Sequence, residues 1–402
     1  MAINKTDKVL NVPTLRFPGF TDKWEKKRVG DIAKLSKGAG ISKDDRSISG
    51  VPCILYGELY TTYNSEIINK VVSKTELPLD NLVQSEGNDV IIPSSGESAI
   101  DISTARCITT SGILLGGDLN IIRLKNDDGR FLSYQLNGVR KLDIAKVAQG
   151  VSVVHLYGDA LKSISVSLPH IDEQKKIADF LSLLDEPIAL QSKLIDRLKS
   201  LMDGIVVKHW KGVEKGKFCL SDLGEAFSVM NLSKDDLTED GKYCIIYGEL
   251  FTTYDAIIDN VVSHTDKVDR LTLSGDNDLL FPASTTVNAY SLISPSAIIK
   301  RDVVLGGDMF GIHISSEHSA EYISLIINAI YRNKLSKYAK GSTIIHLHYG
   351  DIKNVQIELP ELEMQLYLVG VVKRLRAKLS IETDYLTALN NVKQSLLSAM
   401  FI

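Results

Sequence analysis

Residues Leu55-Tyr56-Gly57-Glu58-Leu59-Tyr60-Thr61-Thr62-Tyr63 recur almost unchanged as Ile246-Tyr247-Gly248-Glu249-Leu250-Phe251-Thr252-Thr253-Tyr254, 191 residues further on. The same offset pairs Cys53 with Cys244, Pro169 with Pro360 and Gln174 with Gln365. Close to it, Leu115-Gly116-Gly117-Asp118 pairs with Leu305-Gly306-Gly307-Asp308, and Gly150 to Leu156 pairs with Gly341 to Leu347. Both copies then reach Tyr-Gly-Asp, at Tyr157–Asp159 and Tyr349–Asp351. Solenoid repeats run to about 20–50 residues, so a period this long means two similar domains rather than a stacked array.

Within each copy the patterning is mixed α/β (α+β) with strands dominant. Asp89–Pro93 and Leu119–Arg123 are short, β-branched and bounded by Gly, Ser or Asp, which predicts strands. Phe131–Leu142 and Ala320–Leu335 place apolar residues at three-to-four spacing, which predicts helices.

After each globule the period changes. Ile177, Leu181, Leu184, Ile188, Ile195, Leu198, Met202 and Ile205 fall at alternating steps of four and three, a heptad seam. Its counterpart is Leu368, Val372, Leu375, Leu379, Leu386, Leu389, Lys393 and Leu396. The position missing from both series is polar in both, Gln191 and Glu382, and a polar seam residue fixes register at some cost in stability. Two similar domains separated by two long antiparallel coiled-coil helices, with pseudo-twofold character, are therefore expected. The boundaries implied are a first domain over 1–168, a helical spacer over 169–212, a second domain over 213–360 and a second spacer over 361–402. At 1.5 Å rise per residue such a spacer is a rod of about 50 Å. Pro187 removes a backbone donor inside the first helix, so a bend near Leu184, or two abutting helices, is expected.

Composition narrows the class. The 402 residues carry a net charge of −4 with 44% hydrophobic residues, ordinary for a globular protein. No run approaches the roughly 18 apolar residues of a membrane span, and Met1–Leu10 lacks the apolar core of a signal peptide, so a cytoplasmic protein is expected. The four cysteines form no C-x-x-C pair and no histidines sit at zinc-finger spacing, so neither a metal nor a cofactor is expected. The acidic balance is unusual for a DNA binder. Basic residues are, however, clustered at Lys23, Lys26, Lys27, Arg28, Lys34 and Lys37.

Several segments carry a family resemblance. Leu15-Arg16-Phe17-Pro18-Gly19-Phe20 with Trp24, Leu168-Pro169, Glu173-Gln174-Lys175-Lys176-Ile177-Ala178-Asp179-Phe180-Leu181 with Leu184-Asp185, and Gly116–Asn120 resemble the specificity (S) subunit of Type I restriction-modification enzymes. Glu363-Met364-Gln365 departs from the pattern, which has Glu-Gln adjacent. The resemblance spans the whole chain. It implies two target-recognition domains, each reading one half of a bipartite site in double-stranded DNA. Helices would set the spacing and dock methyltransferase (M) subunits, probably two, and restriction/translocase (R) subunits would join that core.

Signs of chemistry are lacking. No Asn-Pro-Pro-Tyr or Asp-Pro-Pro-Tyr occurs, and no glycine-rich cofactor fingerprint follows a strand. Gly212–Lys217 is one residue short of a Walker loop, and Glu25-Lys26-Lys27 reads as a solvated face. His155 and His346 sit in apolar strands without a duplicated nucleophile and read as core or interface histidines. A non-catalytic DNA-binding chain is expected; a single-chain nuclease and a tandem scaffold or carbohydrate-binding protein are the competing readings.

Recognition of DNA requires hydroxyls, amides and cations presented to phosphates and base edges. Three regions per copy offer them. The first is Tyr60, Thr61, Thr62 and Tyr63, matched by Thr252, Thr253 and Tyr254. The second holds Ser94, Ser95 and Ser98, matched by Ser284, Thr285 and Asn288. The third holds Lys146 and Ser152, matched by Lys340, Ser342 and Thr343. All of these are also ordinary turn and strand-end residues. Residues shared by both copies cannot distinguish two half-sites, so base reading is expected where the copies differ, above all in Ser94–Asp101 against Ser284–Ser291.

Overall fold

The computed structural model describes residues 12–230, 232–267 and 269–402, so the Met1–Leu10 stretch lies outside the described residues. The chain forms two compact units, one from 1–194 with 382–402 and the other from 195–381. The boundary falls inside both long helices, Ile171–Gly212 and Leu362–Met400. Each helix therefore begins in one unit and ends in the other.

Unit 1 contains two five-stranded sheets. One has the order Ala33–Lys37, Leu119–Leu124, Asp89–Pro93, Arg106–Ile108, Ile67–Ile68; the other runs Arg46–Ser47, Ser73–Thr75, Val51–Ile54, Leu114–Leu115, Val83–Gln84. Most neighbours are antiparallel, with parallel pairs at Cys107↔Ile67 and Leu114↔Cys53. Asp89–Pro93 is buried along its whole length, as expected of a central strand. Unit 2 repeats both sheets in the same order, again with a buried central strand, Asp278–Pro282.

The repeated sequence motifs act as structural latches. Buried Glu58 accepts a hydrogen bond from the Leu55 amide at 2.9 Å and a second from the Ser73 hydroxyl. Glu249 does the same with Ile246 and Ser263. A buried carboxylate is tolerable only with such partners. Gln174 donates to the Pro169 carbonyl at 2.9 Å and accepts from the Asp128 amide at 3.0 Å. Gln365 donates to Pro360 at 2.8 Å and accepts from Ser319 at 2.9 Å. This explains why proline and glutamine recur together: they clamp the start of each long helix to the N-cap of a domain helix.

The helices following these caps differ from expectation in an instructive way. Phe131–Leu142 is not one helix: Gly129–Asn137 and Lys141–Val147 are separated at Gly138, whose backbone leaves the helical region. Ala329 stands at the equivalent place in unit 2, and there the helix continues from Ala320 to Leu335 through a π-turn over Ile327–Tyr331.

Ile171–Gly212 runs unbroken through Pro187, so two abutting helices do not form. Pro187 and Leu183 are both exposed, so the proline lies on the solvent side of the helix, where the Leu183 carbonyl loses its helical amide partner. Seam positions Ile177, Leu181, Ile188, Ile195 and Leu198 are buried and Leu184 half-buried; Leu368 and Val372 are buried, and Leu375, Leu379, Leu386 and Leu389 half-buried. Within unit 1 the two helices meet at the polar seam position, where the Gln191 amide donates to the Glu382 carbonyl at 2.9 Å and carboxylate at 2.6 Å. Lys393 meets Asp185 there, so residue numbers rise along one helix as they fall along the other, and the packing is antiparallel. Unit 2 shows the same sense, with His209 stacked on Tyr367 and Val206 in one core with Val372.

Candidate nucleic-acid interface

The second and third regions come together in each unit through a two-stranded ladder. Val154 pairs with Gly96 and His155 with Ser95; in unit 2, Ser284 pairs with His346 and Thr285 with Ile345. The ladder is preceded by a tight hairpin at Gly150 and Gly341, whose φ angles are +124° and +122°. A Cβ there would lie 2.1 Å from the Val153 carbonyl oxygen and 2.0 Å from that of Ile344, so only glycine fits. The hairpin pushes Val151, Ser152 and Val153 into solvent in unit 1, and Ser342, Thr343 and Ile344 in unit 2. Val151 is 96% exposed.

The first region reaches the same place in unit 1, where the Tyr60 hydroxyl lies 3.6 Å from the point a Cβ on Gly96 would occupy. Its hydroxyl stays protonated, its pKa raised by burial. Exposed Thr61 and Thr62 border a cleft of about 490 Å³ that also includes Arg46, Tyr56 and Asp118. In unit 2, Phe251 and Tyr290 line a shared cleft of about 520 Å³, and the Arg332 guanidinium lies 5.1 Å above the Tyr290 ring.

The structure sorts the individual candidates. Thr61, Thr62, Thr252 and Thr253 are exposed, although Thr61 and Thr252 already donate to the carbonyls of Gly57 and Gly248. Tyr63 is buried and Tyr254 half-buried, their hydroxyls accepting from the amides of Val72 and Val262. Ser94, Ser95 and Ser284 are buried, and Thr285 is half-buried. Ser98 and Asn288 cap short helices, accepting from Asp101 and Ser291. Lys146 and Lys340 are both exposed and both paired, Lys146 with Asp143 at 3.7 Å and Lys340 with Asp351, whose carboxyl is held below its usual range by that contact.

His155 and His346 remove the core alternative of the sequence reading and leave the interface one. Both are exposed, because strand alternation turns Val154 inward and the histidine outward. Tyr157, Tyr290, Val287 and Ile344 are exposed large side chains around the ladder. Val287 and Tyr290 lie in the divergent Ser284–Ser291 segment, whereas sequence reasoning did not single out Tyr157 and Ile344, whose counterparts in the other copy are alike.

Between the copies, the latches are constant while several exposed positions change. Glu97 faces solvent where Val287 stands in unit 2, and Ile100 where Tyr290 stands. Among the described residues no group of His, Cys, Asp or Glu could hold a metal ion, and no helix is long and apolar enough to cross a membrane.

A duplicated scaffold presenting variable surface loops, joined by long helices, defines a tandem recognition protein. Residues 21–200 and 212–391 each match the Type I restriction modification DNA specificity domain, and the chain belongs to that family. It is 24% identical over its full length to the Type I restriction enzyme MjaVIII specificity subunit of Methanocaldococcus jannaschii, covering 96% of that protein. The fold matches that of the S subunit of a Type I restriction-modification system from M. genitalium, with a TM-score of 0.59 and 16% identity over 97% of this chain and 99% of that one. A chain from a structural study of complex assembly and conformational transition in the type I R-M system matches with a TM-score of 0.52 and 13% identity over 95% and 98%.

Proposed function

We propose that the chain is the DNA-reading subunit of a Type I restriction-modification complex, and that it performs no chemistry itself. The hairpin, ladder and short-helix surface of each unit reads one half of a bipartite site in double-stranded DNA. The long helices set the spacing between the halves and dock two methyltransferase subunits, with restriction/translocase subunits joining that core in the cytoplasm.

The observation that carries this reading is the twofold occurrence of one surface whose buried latches are shared and several of whose exposed side chains differ, as Glu97 does from Val287 and Ile100 from Tyr290. Shared hydroxyls such as Thr61 and Thr252 suit phosphates, which carry no sequence information directly. Divergent side chains such as Glu97 and Val287 suit base edges: a carboxylate accepts from cytosine N4, whereas an apolar group touches the thymine methyl. The net charge of −4 fits a chain that leaves part of the phosphate contact to its partners.

Exchanging Ser94–Asp101 with Ser284–Ser291, in the chain co-expressed with its methyltransferase subunit, tests the proposal. Single-molecule mapping of methylated adenines should show altered half-sites with unaltered spacing. Unchanged sites would reject the loop assignment. A nuclease reading predicts instead that the purified chain alone cleaves DNA in the presence of Mg²⁺.

A further inference from the structure

Unit 1 holds a buried ionic cluster that the equivalent described positions of unit 2 do not repeat. The Lys393 ammonium, 7% exposed, pairs with Glu66 and lies 2.6 Å from Asp185. Asp185 also accepts from the Tyr134 hydroxyl and the Ser65 hydroxyl, both at 2.7 Å, and the lysine stands 5.5 Å from the centre of the Tyr134 ring. Nearby Arg106 spends its donors on the carbonyls of Leu59 and Tyr63, so the lysine is the cation that the two carboxylates receive directly.

The equivalent positions of unit 2 are neutral or reversed. Met202 replaces Lys393 and Arg376 replaces Asp185 at the offset of 191, Ala256 replaces Glu66 ahead of a matching Ile-Ile strand, and Leu325 replaces Tyr134. Arg376 turns to its own domain, pairing with Asp255 and with Asp259 at 2.9 Å. Where unit 1 has its ion cluster, Met202, Ala256, Leu325 and Arg376 border the 520 Å³ cleft.

We propose that these charges make the two helix-docking sites non-interchangeable, so that unit 1 accepts the later part of the second long helix, carrying Lys393, and rejects the corresponding part of the first, carrying Met202. Seating a methionine there would leave two carboxylates buried without their cation, which is strongly unfavourable. Unit 2 asks only for a neutral side chain. The two helix ends share a heptad pattern and would otherwise be near-equivalent partners, so a second copy of this chain could insert its first long helix into unit 1. The ion cluster excludes that association and favours folding within one chain, much as a buried polar seam residue specifies partner choice in coiled coils. The inference concerns assembly of the chain and does not depend on DNA reading.

Full-length variants test it. Lys393→Met fills the same space without charge; amide exchange over 386–400 should accelerate on the order of a hundredfold while unit 2 stays unchanged. Adding Glu66→Gln and Asp185→Asn should restore protection to within about tenfold of wild type. In the exchanged variant, Lys393→Met with Met202→Lys, only a second copy can supply the lysine to unit 1. Light scattering should then show a species of twice the mass seen for wild type or for either single variant. Exchange in Lys393→Met within about twofold of wild type, no recovery in the neutralised triple variant, or no added mass in the exchanged variant would each overturn the proposal.

Discussion

Gly150 and Gly341 show how a single backbone position controls the surface. Their positive φ angles and the carbonyl oxygens of Val153 and Ile344 leave no room for a side chain. Alanine at either position should cost about 1–2 kcal/mol and loosen the hairpin. The expected phenotype is weaker DNA binding by the assembled complex, measured by titration, with a change in unfolding midpoint confined to the altered unit. The cysteines behave differently from what reactive thiols would. Burial raises the Cys53 and Cys244 thiols to about 11 and that of Cys107 to about 12. Thiolates are the reactive form, so these three should resist alkylation of the folded protein at pH 8, leaving half-buried Cys219 as the labelled residue in mass spectrometry. The duplication of Cys53 as Cys244 was legible in the sequence. The outward turn of His155 and His346 was not, because a two-residue strand gives periodicity nothing to measure.

At the level of elements, the long helices were the most readable feature, since every seam position is buried or half-buried. Lys393 sat in that seam as an unexplained charge; its reason is a pair of carboxylates more than 200 residues away in sequence, which no local pattern reveals. Gly138 against Ala329 likewise decides whether a helix breaks or passes through a π-turn. The helical part of unit 2 carries a pH dependence. His209 packs between Tyr322 and Tyr367, neither ring nitrogen has a hydrogen-bond partner, and burial depresses its pKa. His318, bonded to Gln365, is depressed for the same reason. Both folded-state values lie below the unfolded value of about 6.5. Below that pH the unfolded chain takes up protons that the folded chain refuses. Stability of unit 2 should thus be full above about pH 6.5 and fall as the pH drops through the depressed values. Denaturant melts between pH 7.5 and 5.5 should show this slope, and His209→Leu should reduce it. A slope of opposite sign would contradict the burial argument.

At the level of the molecule, an internal duplication was visible from one nine-residue stretch and its echo. What that stretch does was not visible: it latches a turn through Glu58 and Glu249, while its threonines reach solvent in both copies and Tyr247 and Phe251 do so in the second. The proposed recognition surface instead gathers segments far apart in the chain, near residues 60, 96 and 152, whose meeting depends on the ladder pairing Gly96 with Val154. The division into units also crosses both long helices, because each helix is shared between the cores it completes; a linear reading of the chain places boundaries only at changes of pattern. The central claim is that two such surfaces read DNA separately. Mapping methylated adenines across a genome in cells carrying the chain and its methyltransferase subunit tests it most directly. The expected motif is two short defined segments separated by a non-specific spacer of one fixed length; a single contiguous motif would contradict the account.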